Sequence, residues 1–339
     1  ESEDFEYTTI FDLKEQFKVS DEELLRDISS YNDDEGFALF KRAYTNLLNT
    51  KDYKVSTTGY SYVNTMGGLK VLVDNTKKFD GTNFFMHTIS KAETDSIVSS
   101  MSNKNSKHYF YVTDNPVNNI ATINQVDFAD ETKVLSSLTC TEKNYAFNYG
   151  AIPYAVCDYI LNEEIILDSY LSFDDETNLY KIEFSLDPTP ATVNLVKKMY
   201  MISGTNADYS DGTVDYTVYV DSNFMIKRML EVETYNVDAP VVGRVSAEGL
   251  NDDRFYYIGD EDYEPISENE KYDLTNVPTD EEKEDVNTEA VENSKIAFSK
   301  LAENGINSNF NITVGDINFN GRIKLSANYT IQIQIDTFF

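Results

Sequence analysis

The strongest constraint on this chain is an alternation of apolar and polar residues that recurs along most of its length. It is clearest in "DYTVYVDSNFMIKRMLEVETYNV", Asp215 to Val237, where two alternating runs flank the polar knot Asp221-Ser222-Asn223. Side chains on a strand point to opposite faces in turn, so such a run covers a core with one face and meets solvent or a second layer with the other. The pattern predicts a β-hairpin. "YKVSTTGYSYV", "LKVLVDN", "NFFMHTIS", "KHYFYVT", "EIILDSYLSF" and "YKIEFSL" read as further strands, with turn material at Met66-Gly67-Gly68, Asp80-Gly81-Thr82 and "DDETN". No strand–helix–strand alternation is visible. The expectation is therefore an α+β chain, a large curved antiparallel sheet packed on several helices.

Helices are signalled at a few places. Ser20 can cap "SDEELLRDI". In "EGFALFKRAYTNLL", Phe37, Phe40, Tyr44 and Leu47 fall on one helical face, which should lie on the sheet. Ser90 with Glu93 forms a capping-box pattern for a short helix toward Met101. "TEKNYAFNYGAIPYAVCDYIL" reads as two short helices broken at Gly150 and Pro153, and Asp187 to Gly204 as a helix capped by Asp187, opened by Pro188 and closed by Gly204. The stretch from Asp114 to Thr139 has little periodicity and reads mostly as loop.

Four segments follow: an acidic region over 1–32, a main domain over 33–250, an acidic linker over 251–288, and a helix with strands over 289–339. "AVENSKIAFSKLAENGINSNFNITV" echoes "EGFALFKRAYTNLLNTKDYKVST", with Phe310 or Tyr53 entering the strand. About fifty residues cannot bury a separate core, so the last segment either adds strands to the main sheet or begins a second copy of it. The helix face of Ala290, Ala297 and Leu301 needs a partner, and the segment alone is expected to be unstable.

Chemistry is sparse. The formal net charge of −31 argues against nucleic acid, whose phosphates require Lys and Arg, and against an anionic membrane surface. No apolar run approaches a membrane span. The chain opens "ESEDFEYTT" without Met or a signal peptide, which suggests a trimmed mature form or an expressed fragment. Cys140 and Cys157 are either bridged, which would be worth about 3 kcal/mol, or two buried thiols. His87 and His108 lack the partners of a zinc motif and read as satisfied or surface strand residues. Acidic pairs such as Asp33-Asp34, Asp174-Asp175 and Asp252-Asp253 read as solvated turns, and neither "DFADET" nor "DDETN" completes a calcium loop. Asn311 and Asn328 stand in glycosylation sequons. No phosphate loop, nucleophile elbow or dinucleotide fingerprint occurs. No cofactor, metal site or enzymatic activity is expected.

The order "NLYKIEFSLDPTPATVNLVKKMYMISG…VDYTVYVDSNFMIKRMLEVETYNV", preceded by "YGAIPYAVCDYILNEEIILDS", resembles LolA/LppX-like envelope lipoproteins, and especially those of Gram-positive bacteria. The resemblance spans Phe37 to Val237 and rests on pattern, not on a signature motif. It implies an incomplete barrel with helices on its concave side, an acyl chain held between sheet and helix, and no catalytic residues. It implies an extracellular protein of the cell envelope, anchored to the membrane through a lipidated N-terminus that this chain does not contain. The partner would be a lipid or the acyl chain of a lipoprotein. The lining residues would be Val196, Met199 and Tyr200 on the helix, with Val218, Val220, Ile226 and Leu230 on the hairpin. The alternative is a surface interaction protein whose barrel is filled by its own side chains.

Overall fold

The structure, a computed structural model, describes residues 10–64, 68–93, 103–111, 119–142, 144–145, 161, 163–187, 206–239, 243–271, 306–314, 317–325 and 331–338. Contacts divide the chain into two units, Glu1–Tyr272 and Asp273–Phe339.

The first unit is built on one open, curved antiparallel sheet of eleven strands. Its strands are β1 (Tyr53–Val63), β2 (Leu69–Phe79), β3 (Asn83–Ala92), β4 (Lys104–Tyr111), β5 (Ile120–Val126), β6 (Val134–Thr141), β7 (Ile166–Asp174), β8 (Leu179–Leu186), β9 (Asn206–Val220), β10 (Ile226–Ala239) and β11 (Gly243–Tyr257). Their spatial order is β6-β5-β4-β3-β2-β1-β11-β10-β9-β8-β7. Two meanders, β1–β6 and β7–β11, thus join where β1 pairs antiparallel with β11, Tyr53 opposite Tyr257. Strand outweighs helix, so the fold is more β than the expected α+β. The described helices are α1 (Ile10–Gln16), α2 (Asp21–Leu24) and α3 (Gly36–Asn49), and none is long and apolar enough to cross a membrane.

Three of the described turns share one device. An aspartate ends a strand and its carboxylate accepts backbone N–H groups two or more residues on. Asp80 accepts from Thr82 and Asn83 at 3.0 and 2.7 Å, Asp174 from Glu176 at 3.0 Å, and Asp221 from Asn223 and Met225 at 2.8 and 3.0 Å. An Asp side chain that mimics a turn's backbone acceptor fixes the reversal locally. The expected turn at Asp221 is therefore present, closing at Phe224 with φ 60°. Asp221→Ala should cost about 1–2 kcal/mol, the net worth of two such bonds, read as a shift of the urea midpoint. An unchanged midpoint would show that α3 alone sets this turn.

α3 docks on the concave face, as its apolar stripe predicts. Phe37, Phe40, Tyr44, Leu47 and Leu48 are buried, and the helix meets β7, β8 and β10. Asn46 Nδ2 donates to the Phe224 carbonyl at 3.3 Å, and the Arg42 guanidinium lies 4.7 Å from the Phe224 ring, so the β9–β10 turn is tied to the helix. Phe17, just past α1, sits edge-on to Tyr44 at 4.5 Å. Leu13, Phe17, Ile28 and Tyr31 of the acidic N-terminal region are thus part of the core. Ser20 caps α2 by accepting from the Glu23 N–H at 3.2 Å.

Four expectations change. The stretch 114–139, read as loop, contains β5 and most of β6. Ala121 and Ile123 are buried on one face of β5, and Thr122 and Asn124 on the other, so no alternation survives to be read. Ser90 lies within β3 and caps no helix there; the rest of that predicted helix falls on 94–102, outside the described residues. The acidic linker does not begin at 251, because β11 runs to Tyr257 between β1 and β10. Its Asp252-Asp253 pair is no turn. Asp252 receives a bidentate ion pair from Arg228 at 2.7 and 2.8 Å, and Asp253, on the opposite face, accepts from the Thr57 hydroxyl.

Residues 258–271 then return across the convex face. Lys54 and Lys78 stand directly opposite each other on β1 and β2, a like-charge pairing that is unfavourable alone. Glu264 lies 3.4 and 3.6 Å from the two ammonium groups, Glu270 adds a 2.8 Å bond to Lys78, and Ile266 is buried.

In the second unit, among the described residues, β12 (Ile306–Val314), β13 (Ile317–Leu325) and β14 (Ile331–Phe338) form a three-stranded antiparallel meander of their own. Its order matches β1–β2–β3. The echoed aromatics do not correspond, since Tyr53 opens β1 whereas Phe310 lies in mid-β12 opposite Gly321. The predicted helix preceding β12, residues 188–204 of the helix expected after Asp187, and Cys157 lie outside the described residues; Cys140 is half-buried on β6.

Candidate functional site: the concave face

Strand register carries side chains across the sheet in rows. One row runs Leu171, Ile182, Val218, Met229, Asp253, Thr57, Asn75, Thr88, Ser106 from β7 to β4. It is apolar over β7–β10, where α3 lies, and polar from β11 onward. Nearer the strand ends an aromatic row, Tyr257, Tyr53, Phe79, Phe84 and Phe110, fills the β11–β4 side, with Tyr53 and Phe79 centred 5.5 Å apart.

The predicted lining residues divide. Val218, Val220 and Ile226 face the core and are fully buried in the cluster that includes α3. Above them Phe184 stacks on Tyr216 at 5.1 Å and meets Phe40 at 5.0 Å. Leu230 points the other way. A register shift between Ile226 and Arg228 puts one extra residue into β10, so Met229 pairs with Val218 on the core face and Leu230 turns to the convex side. A bulge reverses the face of every residue beyond it. Val196, Met199 and Tyr200 lie outside the described residues.

Counting the bulge also reveals what the plain alternation hid. Met229, Glu231, Glu233, Tyr235 and Val237 share the concave face. Glu231 is 7% exposed and accepts from the Tyr216 hydroxyl at 2.6 Å; Glu233 accepts from Tyr209 at 3.2 Å. Glu233 lies over Gly249, where a Cβ would come within 2.6 Å of its carboxylate. With Asp253, these carboxyl groups put hydrogen-bonding polar atoms on a face that hydropathy predicts to be apolar. The signal was the Glu-x-Glu spacing inside the hairpin.

Beyond α3 the same face is less covered. Val63, Leu69, Val71 and Val73 on β1 and β2 are half-buried, and Gly59, Ser61 and Ser90 beside them are small. They form a smooth aliphatic strip bordered by the acidic residues of β10 and β11.

The histidines are structural in their surroundings. His87 Nε2 lies 2.8 Å from the Asn105 side-chain oxygen. His108 Nδ1 lies 2.8 Å from the Tyr145 hydroxyl and Nε2 2.9 Å from Ser106 Oγ. Burial, with His87 adding to it, holds His108 down at about 4, so it is neutral at physiological pH. Glu142, at the end of β6, accepts from Asn119, and burial pushes its carboxyl up to about 7. Among the described residues no group of three or more His, Cys, Asp or Glu is placed to hold a metal.

No family model matches the chain, and no curated protein matches it significantly. Among solved structures it is similar to a crystal structure of a domain assigned to outer membrane lipoprotein sorting, from Vibrio parahaemolyticus. The match has 11% identity, covers 67% of this chain and 94% of that one, and has a TM-score of 0.23, too loose a superposition to carry an argument.

Proposed function

We propose that this is a non-enzymatic binding protein that holds an acyl chain or similar apolar ligand against the part of the concave face that α3 does not cover. The observation that carries the reading is the half-buried strip of Val63, Leu69, Val71 and Val73, continuous with the buried core. Aliphatic and small side chains suit an acyl chain, and ten buried methylenes contribute roughly 8 kcal/mol, comparable with the cost of association. The non-enzymatic reading is supported by the Ser106–His108–Tyr145 group, each at most 5% exposed and beyond the reach of a substrate. An extracellular, membrane-anchored place in the cell envelope, through a lipidated segment outside this chain, agrees with the sequence resemblance and with a surface too acidic to adhere to anionic lipid by itself.

A second reading, a surface interaction protein with a filled interior, is favoured by the complete burial of Val218, Val220 and Ile226 under α3. Titration of the delipidated protein with a fluorescent fatty acid separates the two. Saturable binding is expected, weakened by Val71→Trp and Val73→Trp and retained by Leu230→Trp, which alters the opposite face. Absence of binding, or binding indifferent to both valine substitutions, supports the filled interior.

A further inference from the structure

The convex face carries a second feature, independent of what the concave face holds. At the Val63 end of the sheet a depression of about 340 Å³ opens on the side opposite α3. Two successive rows of side chains form its floor: Tyr62, Glu248 and Thr234, then Asn64, Ser246 and Asn236. Adjacent strands lie about 4.8 Å apart and same-face residues about 6.8 Å apart along a strand, so six side chains present a grid the size of one or two pyranose rings.

The chemistry of the grid is selective. Two amides and two hydroxyls both donate and accept, one carboxylate accepts, and one phenol offers a ring face. Among the described lining residues none is Lys or Arg, while Glu248 and Asp211 line the depression, Asp211 lying 3.9 Å from the Arg244 guanidinium, in a chain of net charge −31. An anionic ligand is therefore disfavoured, and a grid that is polar but for the Tyr62 ring suits an acyl chain poorly. Adjacent hydroxyls on a neutral ring, each both donor and acceptor, with C–H groups for the aromatic ring, match this set.

The Thr234 hydroxyl is engaged by the Thr213 N–H and hydroxyl, each at 3.1 Å, but the bonds at Asn64, Ser246 and Glu248 leave capacity for a ligand. Asn64 Nδ2 reaches Ser246 Oγ at 3.4 Å and the Tyr60 hydroxyl reaches Glu248 at 3.4 Å, both at the long limit of a hydrogen bond. Tyr62 is held in place by the chain itself. Gly68, at φ +69°, comes so close that a Cβ would lie 2.9 Å from the Tyr62 hydroxyl oxygen. A platform already fixed in position loses little freedom when a ligand arrives.

We propose that this depression is a saccharide-binding site for a neutral hexopyranose unit. The glycan is either a free oligosaccharide or the exposed end of a polymer, and the two present the same ring hydroxyls. The test is ligand-observed NMR on the intact protein with maltotriose and N,N′,N″-triacetylchitotriose as neutral probes and trigalacturonate as the anionic one, followed by co-sedimentation with insoluble chitin and starch. At least one neutral trisaccharide should show saturation transfer. Tyr62→Ala and Asn236→Ala should each weaken that binding by about tenfold or more, at unchanged melting temperature. Trigalacturonate should show none. Co-sedimentation with the matching polymer then assigns the polymer end as the source, and its absence assigns the free oligosaccharide. If neither neutral probe binds, if trigalacturonate binds equally well, or if both substitutions leave binding unchanged, the proposal is overturned.

Discussion

Phe40→Ala is expected to destabilise the protein by about 4 kcal/mol, within the usual range for loss of a buried aromatic side chain. Phe40 has no exposed surface, stacks on Tyr44 and Phe37 at 5.5 and 5.8 Å, and reaches Phe184 at 5.0 Å and Phe17 at 6.3 Å. It thus joins α3 to β8 and to the end of α1. Its neighbours are held by their own stacking and cannot collapse into the space, which is the condition under which a cavity costs most. Urea unfolding followed by far-ultraviolet circular dichroism measures the loss. Leu25→Ala is the control, because Leu25 is 89% exposed and should shift stability by no more than about 0.5 kcal/mol. A loss below about 1 kcal/mol for Phe40→Ala would mean that α3 is not docked as described.

The second large effect is a change in how stability depends on pH. Glu142 titrates at about 7 in the folded protein against an ordinary 4.5, because burial favours its protonated form. Between those values the folded state holds the proton and the unfolded state releases it. Stability is therefore full below about pH 4.5 and falls as pH rises to about 7, by at most about 3 kcal/mol. His108 works in reverse. Its folded value near 4 lies below the ordinary 6.5, so stability is full above 6.5 and falls as the solution is acidified toward 4. In the unmodified protein these two slopes oppose each other across the mildly acid range. Glu142→Gln removes one of them. The variant should gain stability relative to the unmodified protein as pH rises from 5 to 8, and its acid limb should steepen. Urea midpoints at pH 5, 6, 7 and 8 measure this difference, and parallel profiles for the two proteins would refute it.

The hairpin and the Asp-initiated turns were legible in the sequence because they are local. An alternating run records one buried face, and an Asp followed by small or polar residues records a reversal whose bonds span at most four residues. The packing of α3 was legible for the same reason, from a stripe of Phe37, Phe40, Tyr44 and Leu47. β11 was not legible, since its charges are answered by residues distant in sequence. Asp252 reads as linker until Arg228 lies beside it, and Asp253 until Thr57 does. β5 was hidden because both its faces are covered. The candidate site suffered from a single residue. The bulge near Lys227 exchanges Leu230 for Met229 on the core face and brings Glu231 and Glu233 with it, and no hydropathy pattern marks a bulge in advance.

The strand order has a kinetic consequence. Every other neighbouring pair in the large sheet joins strands consecutive in sequence, whereas β1 must find β11 across the whole intervening chain. Closing so long a loop costs entropy before any contact rewards it, and pairings of this kind slow folding. The two meanders can each zip from their own hairpins, but until β1 meets β11 each exposes a long unsatisfied edge open to another molecule. That seam is where a newly made chain is most exposed to misassembly, and the buried hydrogen bond between Thr57 and Asp253 lies across it.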